Sequence, residues 1–545
     1  MFSIPGQEPL PRGSSANERV FSTFDGFAYG IYANSIVIAA VLTYSLLWPW
    51  PKANIPLGIV MVCLAFIPMF TVYAMLTTLM PRTGGDYVWQ TRTIGLNWGF
   101  ILIVPPLMIG PWFYMASNVA PASTLVIAPM LISLAKILNA PLLTDMAIVI
   151  STRIGTWWFY VIYVSFAGAV MLLGMKFYAR LQRISFIIGL LALASWALML
   201  FFTSRAEFQE GFNGFMAGAL QWGDHDAYRQ ILQRATELGY KATPLSETTA
   251  RSSFFIGPAL AYTFMYIACT SLLAGEIRGV DKLRNSVMIF LGGNLFSMVV
   301  CAGFMWLLLS RLSNEFFTSA NFLWATGQGQ DIPVPPNTGL FLMALGSSPW
   351  YWLWVAVGLN AWFWIWPVNN IVTSTRIMLA MSQDRLLPSF VTRLSRNRGT
   401  PVVAICICYA CSLLMGWLYY FTGFSRLTLD MPFMTSIAFA ASTLAGTLFP
   451  YLPRTRELYQ KSRLSAYTVL GVPLITVTGV LGLIYFAVMF FLYIADDRYG
   501  TNDPLSAWFI LGSLAVCTAG VWLIRRYRKK RGTDLSNLLQ IIPSD

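Results

Sequence analysis

The sequence predicts an all-α polytopic membrane protein with 12 transmembrane helices. Three observations predict it. Of 545 residues, 57% are hydrophobic and 11% charged, a balance foreign to soluble domains of this length. The mean hydropathy is +0.61, and the apolar residues gather into runs near the roughly 20 residues that cross a bilayer. Lysine and arginine collect between the runs with a consistent side preference.

The runs fall at residues 25–48, 55–79, 97–131, 156–175, 181–203, 252–275, 285–310, 350–381, 401–422, 428–452, 467–493 and 504–526. The segment before the first run is polar and lacks the apolar core and cleavage site of a signal peptide, so the first run is expected to target the chain and remain. That run opens Phe24-Asp25-Gly26-Phe27-Ala28-Tyr29-Gly30-Ile31-Tyr32-Ala33-Asn34-Ser35. Two glycines weaken a helix, and Asn34-Ser35 puts amide and hydroxyl groups near mid-membrane depth. Such groups face protein or a water-filled cavity. One reading is a helix broken there, with free N–H and C=O groups that hold a zwitterion or an ion. The other is an ordinary span with small packing residues.

The third run holds no charge between Arg92 and Lys136, so it is one long helix or two short ones. One helix, with the N-terminus inside, puts roughly 25 of the 36 lysines and arginines on the cytoplasmic side; two helices leave about 14 there. One tilted helix is therefore expected, with both termini cytoplasmic. The tail Arg525-Arg526-Tyr527-Arg528-Lys529-Lys530-Arg531 then meets lipid headgroups rather than nucleic acid. The loop from Thr203 to Arg251, with Asp224, Asp226, Arg229, Arg234 and Glu237, falls outside and is expected to hold a short amphipathic helix. The loop from Arg311 to Pro349, with its Pro333-Val334-Pro335-Pro336, also falls outside.

The seven cysteines lie in apolar runs and give no disulfide framework. Cys406, Cys408 and Cys411 do not share one helical face, and the single histidine, His225, sits in a polar loop. No metal site is expected from them. The chain is not expected to be an enzyme, since no nucleophile–base pair or paired intramembrane carboxylates stand out.

Three polar stretches carry more weight. After the second run comes Met80-Pro81-Arg82-Thr83-Gly84-Gly85-Asp86-Tyr87, a proline stop and a tight glycine turn that reads as a basic structural hairpin. After the sixth comes Ala274-Gly275-Glu276-Ile277-Arg278, where Glu276 could pair with Arg278 or Lys282 at an inner gate, or end a helix in water. After the eighth comes Thr375-Arg376-Ile377-Met378-Leu379-Ala380-Met381-Ser382-Gln383-Asp384-Arg385-Leu386-Leu387-Pro388, followed by Thr400-Pro401-Val402-Val403-Ala404.

In register, these stretches resemble the amino acid–polyamine–organocation (APC) superfamily permeases. That family's pattern after helix eight is close to S-R-x-x-x-A-M-x-x-D-G-x-L-P, then T-P-V-V-A, and the resemblance covers roughly residues 20 to 460. It implies a leucine-transporter-like 5+5 inverted repeat plus two extra helices. The divisions are a cytoplasmic segment 1–24, repeat one 25–203, an extracellular loop 204–251, repeat two 252–452, helices eleven and twelve 453–526, and a basic cytoplasmic tail 527–545.

The resemblance also implies broken helices one and six with substrate between them. Around the first break the implied contacts are Tyr29, Gly30, Tyr32, Ala33, Asn34, Ser35 and Ile36. N–H groups from Ala33 to Ile36 would take a carboxylate, and carbonyl ends of both helices an ammonium. Pro258 kinks the first half of helix six, whose counterpart band supplies Tyr262, Thr263, Phe264, Tyr266 and Ala268, with Tyr262 at an aromatic gate position. In the eighth run, Trp366 is either a substrate contact or an interface anchor.

Departures from the family pattern shape the expectation. Helix one breaks at Ala33-Asn34-Ser35 rather than at a glycine-rich stretch. Tyr266 and Ala268 stand where a glycine and sometimes a glutamate occur, and Gly189 where some members place a lysine that substitutes for sodium. With no membrane-depth acid in helices one and six, the expected cargo is a neutral, apolar amino acid. Asn369-Asn370 deep in the eighth run reads as a lined cavity or as interhelical hydrogen bonding. A candidate Na⁺ site combines Gly30, Ala33, Asn370 and Thr373, with H⁺ the other candidate coupling ion and no bound cofactor expected.

The predicted function is a secondary active transporter of neutral amino acids in the cell membrane, working by alternating access. The rivals are a transporter of polyamines or other small organic amines, a non-transporting amino-acid sensor of the same fold, and a channel.

Overall fold

The computed structural model describes residues 19–36, 43–223, 226–329, 332, 337–395, 398–428, 430–501, 503–530 and 535. His225, Asp224, the Pro333–Pro336 stretch, most of the expected N-terminal segment and most of the basic tail lie outside the described residues.

The chain enters the bundle through α1, Thr23–Asn34. Ser22 caps it in a reciprocal box: its hydroxyl accepts the Asp25 N–H, and the Asp25 carboxylate accepts the Ser22 N–H at 2.7 Å. The helix stops where Ser35 turns left-handed (φ 53°, ψ 47°). Next comes α2, Ile55–Leu79, started by an Asn54 cap with proline at its first turn.

The glycine turn that follows α2 is set by close packing. A Cβ on Gly84 (φ +92°) would lie 2.5 Å from that of Ala380, and one on Gly85 would lie 2.5 Å from the Ser271 backbone. The turn delivers α3, a short buried helix at Gly85–Thr93.

The third run is one rod, as the charge count required. It begins as α4, Leu96–Val119, and stays helical to Leu138, longer than the expected 97–131. Wide π segments at Val104–Ile109 and Ser123–Ile127 sit at or just after its prolines Pro105, Pro106 and Pro121. The helix absorbs the missing N–H donors there without turning back. A further helix at Leu142–Ser151 precedes α5, Arg153–Leu173, and α6, Met175–Phe202.

Outside the spans, Ala227–Glu237 forms the expected amphipathic helix, with Tyr228 and Ile231 buried and Arg229 and Glu237 exposed. The sixth run starts with a helix at Ala250–Phe255 and continues as α7, Gly257–Phe264. From Tyr266 to Glu276 it is wound as a tighter 3₁₀ helix.

Beyond it lie α8 (Leu283–Leu312), α9 (Pro349–Phe363), α10 (Trp366–Gln383), α11 (Val402–Phe421), α12 (Asp430–Leu448), α13 (Leu474–Ala495) and α14 (Pro504–Lys530). A two-residue hairpin, Thr468–Val469 against Val472–Pro473, is the one sheet among the described residues.

Ten helical stretches among the described residues are long and apolar enough to cross a membrane. The expected count of twelve differs at two places. The first run is interrupted at Ser35 and partly lies outside the described residues. The eighth, expected as one span, breaks at Trp364–Ile365, just before Pro367, and gives α9 and α10. Exposed Trp158, Leu198, Phe202, Leu511 and Val516 form an apolar exterior suited to lipid, whereas α1, α7 and α10 are buried at the centre.

Candidate functional site

The centre of the bundle is held open by two helices that change their winding side by side. At the end of α1 Ser35 turns left-handed, and its N–H bonds back to the carbonyls of Ile31 and Tyr32. In the sixth run the change from α to 3₁₀ winding moves the backbone acceptor from four residues back to three, as in Met265 N–H to Ala261 C=O and then Ala268 N–H to Met265 C=O. One N–H is left over, that of Ile267, and the Asn34 side-chain oxygen accepts it at 3.0 Å. The Asn34 amide nitrogen reaches Ser297 at 3.4 Å.

Beside these breaks lies a cavity of about 660 Å³, counting the space that opens outward. From α1 come Tyr29, Ala33, Asn34 and Ser35; from the sixth run Tyr262, Thr263, Tyr266 and Cys269; from α10 Trp366, Asn369, Asn370 and Thr373. The opposite wall is α4, which gives Pro106, Leu107, Pro111, Tyr114 and Asn118, while Thr43 closes one corner. Among the described residues, no acid, base or histidine lines it.

Three tyrosine rings make one wall. Tyr114 lies 5.9 Å from Tyr262 and 5.7 Å from Tyr266 between ring centres, both at steep angles. Tyr266 donates to the Tyr114 phenol at 2.6 Å, Tyr114 meets Thr435 at 2.9 Å, and Asn118 donates to the Tyr262 phenol at 3.3 Å. The three hydroxyls are thus engaged with one another, with Thr435 or with Asn118, and the ring faces make the wall largely apolar. On the far side the Tyr29 hydroxyl meets that of Thr373 at 3.1 Å. The Asn369 side-chain oxygen accepts from Tyr178, while its amide nitrogen has no hydrogen-bond partner among the described residues.

One turn of α10 below Thr373, Arg376 grips both oxygens of Glu276 at 2.7 and 2.9 Å. Both side chains are largely buried. Glu276 was expected to pair with Arg278 or Lys282; Arg278 instead donates to the Arg19 carbonyl, because the chain before α1 lies against it. At the same end Arg92 holds both oxygens of Asp384 at 2.6 Å, and Arg183 holds Asp25. These pairs close the Arg376 end of the bundle below the cavity.

The structure separates the residues expected to contact substrate into two groups. Tyr29, Ala33, Asn34, Ser35, Tyr262, Thr263, Tyr266 and Trp366 line the cavity. Tyr32, about 100° around the helix from Ala33, packs instead against Trp362 and Phe186 with ring centres at 4.6 and 5.9 Å. Phe264 and Ala268 are fully buried off the Tyr262–Tyr266 face, and the Ile36 carbonyl faces Cys301. Gly30 serves helix packing: a Cβ there would lie 3.0 Å from the Thr270 hydroxyl and 3.3 Å from Ile267.

Two expected functions of the backbone and side chains change accordingly. The Ser35 N–H is already bonded, so it is not a free donor for a carboxylate. Of the candidate Na⁺ set, Ala33, Asn370 and Thr373 share the cavity wall, but Gly30 faces the 3₁₀ helix and the Thr373 hydroxyl is bound to Tyr29. The four do not form one cage.

Sequence reasoning missed Tyr114 and Asn118 on α4, Cys269 and Thr43, gave Asp25 no role, and found Asp384 only as part of a motif, without its partner Arg92. A Tyr-x-x-x-Asn spacing, one helical turn, was the available signal for the α4 pair.

A multi-pass helical membrane protein with a central, uncharged cavity at two interrupted helices belongs among small-molecule permeases. The sequence model of the amino acid permease family matches residues 20–516, and the chain belongs to that family. A comparison with curated proteins finds no relative that matches.

Proposed function

We propose that this permease is a secondary active transporter that carries neutral amino acids across the cell membrane by alternating access. One observation carries the reading: the cavity between the interrupted first and sixth runs is lined by aromatic rings, amides and hydroxyls, with no charged side chain among its described lining. A zwitterion brings its own two opposite charges and needs dipoles rather than a counter-charge. A polyamine would leave its cationic groups uncompensated in such a cavity.

In this reading the carbonyls at the end of α1 receive the ammonium group, and the unpartnered Asn369 amide donates to the carboxylate. Tyr114, Tyr262, Tyr266 and Trp366 receive an apolar side chain. The arginine–carboxylate pairs close the cytoplasmic side, with both termini on that side, and separate when the core helices rock. The reading retains a 5+5 inverted repeat with two further helices, and a Na⁺ or H⁺ gradient as the driving force.

The test is uptake of radiolabelled amino acids into liposomes that carry the purified protein, under separate Na⁺ and pH gradients. Saturable uptake of neutral amino acids driven by one gradient supports the reading and names the ion. Uptake of polyamines alone contradicts the substrate class. Stabilisation by an amino acid without uptake under either gradient contradicts transport and leaves a sensor.

A further inference from the structure

The Asp86 carboxyl, on the first turn of α3, is fully buried and has no cationic partner among the described residues. Its partners are hydroxyls from three other elements. Oδ1 accepts from Tyr73 of α2 and from Ser442 of α12 at 2.6 Å, and Oδ2 accepts from Ser271 of the 3₁₀ helix at 2.5 Å.

The charges nearby are already committed. Arg92 and Tyr87 of the same helix bind Asp384, and Arg376 binds Glu276. Gln90 donates to Ser442 at 2.9 Å and to the Ala438 carbonyl at 2.8 Å. The remaining titratable neighbours are the Tyr73 phenol and the Cys269 thiol. The Pro453–Lys461 helix also packs on α3, but its Arg454, Arg456, Glu457 and Lys461 are exposed, and Tyr459 donates to the Leu464 carbonyl.

An ionised carboxylate buried without a counter-charge is costly, and such groups take up a proton instead. Burial pushes the Asp86 carboxyl above its ordinary range, although three hydroxyl bonds pull the other way. The choice of partners matters as much. A hydroxyl both donates and accepts, so rotating it accommodates either the acid or the anion; a guanidinium only donates. The Asp384, Glu276 and Asp25 carboxyls each face a guanidinium, whereas the Asp86 carboxyl faces only hydroxyls, which can serve both of its states.

We propose that Asp86 is a proton-binding site, protonated with one hydroxyl of its shell rotated to accept from the acid, while the shell ties α3 to α2, α12 and the 3₁₀ helix. Ser271 stands two residues beyond Cys269, which lines the cavity. A movement that withdraws the 3₁₀ helix opens the carboxyl to water, which favours the anion and releases the proton to solvent. The coupling to transport rests on the function proposed above; the proton site does not.

The test is the infrared carbonyl band of protonated carboxylic acid, recorded from acid to alkaline pH on the purified full-length protein in lipid. The proposal predicts a band at neutral pH that is absent in Asp86→Asn and moved in frequency in Asp86→Glu, which covers the case in which the asparagine variant fails to fold. Ser271→Ala removes a bond to the anion and raises the pH at which the band disappears by roughly one unit. A neutral-pH spectrum unchanged by Asp86→Asn and Asp86→Glu overturns the site. If the band behaves as predicted while liposomes take up no amino acid, the transport reading fails and the site stands. If uptake occurs without the band, the site fails and the transport reading stands.

Discussion

The side-chain oxygen of Asn34 accepts the backbone N–H of Ile267 at 3.0 Å, so the residue that ends α1 satisfies the donor freed where the sixth run changes its winding. Two interruptions of the fold thereby support each other. A buried unpaired N–H costs about 1–3 kcal/mol. Asn34→Leu is expected to lower thermal stability by that order and to abolish uptake, as measured by a melting curve and by liposome uptake.

Arg376 and Glu276 close the space one turn below the cavity. Removing one partner of a largely buried pair leaves a charge uncompensated, at a cost of about 3 kcal/mol or more. In Arg376→Ala, Cys269 on the cavity wall should react several-fold faster with a water-soluble thiol reagent applied from the Arg376 side. An unchanged labelling rate would show that the pair does not seal that end.

The three-tyrosine wall separates ring from hydroxyl. Tyr266→Phe keeps the apolar face and loses only the bond to Tyr114, so it should retain most affinity for apolar amino acids. Tyr266→Ala removes the ring and should weaken binding about tenfold, the equivalent of roughly 1.4 kcal/mol. Competition binding with a labelled amino acid on the two purified variants measures the difference.

At the opposite end, Asp496 just after α13 ties Trp50 and Arg498 together. Its carboxylate accepts the Trp50 indole N–H at 3.1 Å and the Arg498 guanidinium at 2.6 Å, and that guanidinium lies 4.7 Å from the indole ring centre. Burial alone would raise this carboxyl, but the bonds from Arg498 and Trp50 outweigh it and hold it below the usual aspartate value. A group held below its unfolded value contributes stability above that value, about 3.9 for aspartate, and loses it as pH falls through the folded one. Thermal stability should therefore decline below about pH 4, and Asp496→Asn should flatten that decline.

Part of this was legible in the sequence because the signals were local. Membrane-depth Asn34-Ser35 marked the interruption of the first run, and the charge count marked the third run as one rod. Tyr262 and Tyr266, one turn apart, marked a shared face. What was missed depends on rotation and on distant partners. One residue of α1 turns the side chain by about 100°, enough to send Tyr32 into the Phe186–Trp362 cluster instead of the cavity. Arg376 lies 100 residues from Glu276, so nothing local ranked it above Arg278. Tyr114 and Asn118 sit in an uncharged run in which the sequence alone does not say which face looks inward.

The central claim is that substrate lies in the cavity between the two interrupted helices. The most direct measurement is equilibrium binding of labelled neutral amino acids to the purified protein and to Ala33→Phe, whose added ring fills the cavity from α1. The account predicts saturable binding to the native protein and its loss in the variant, with the melting curve of the variant still cooperative. Undiminished binding to a folded Ala33→Phe protein would contradict it.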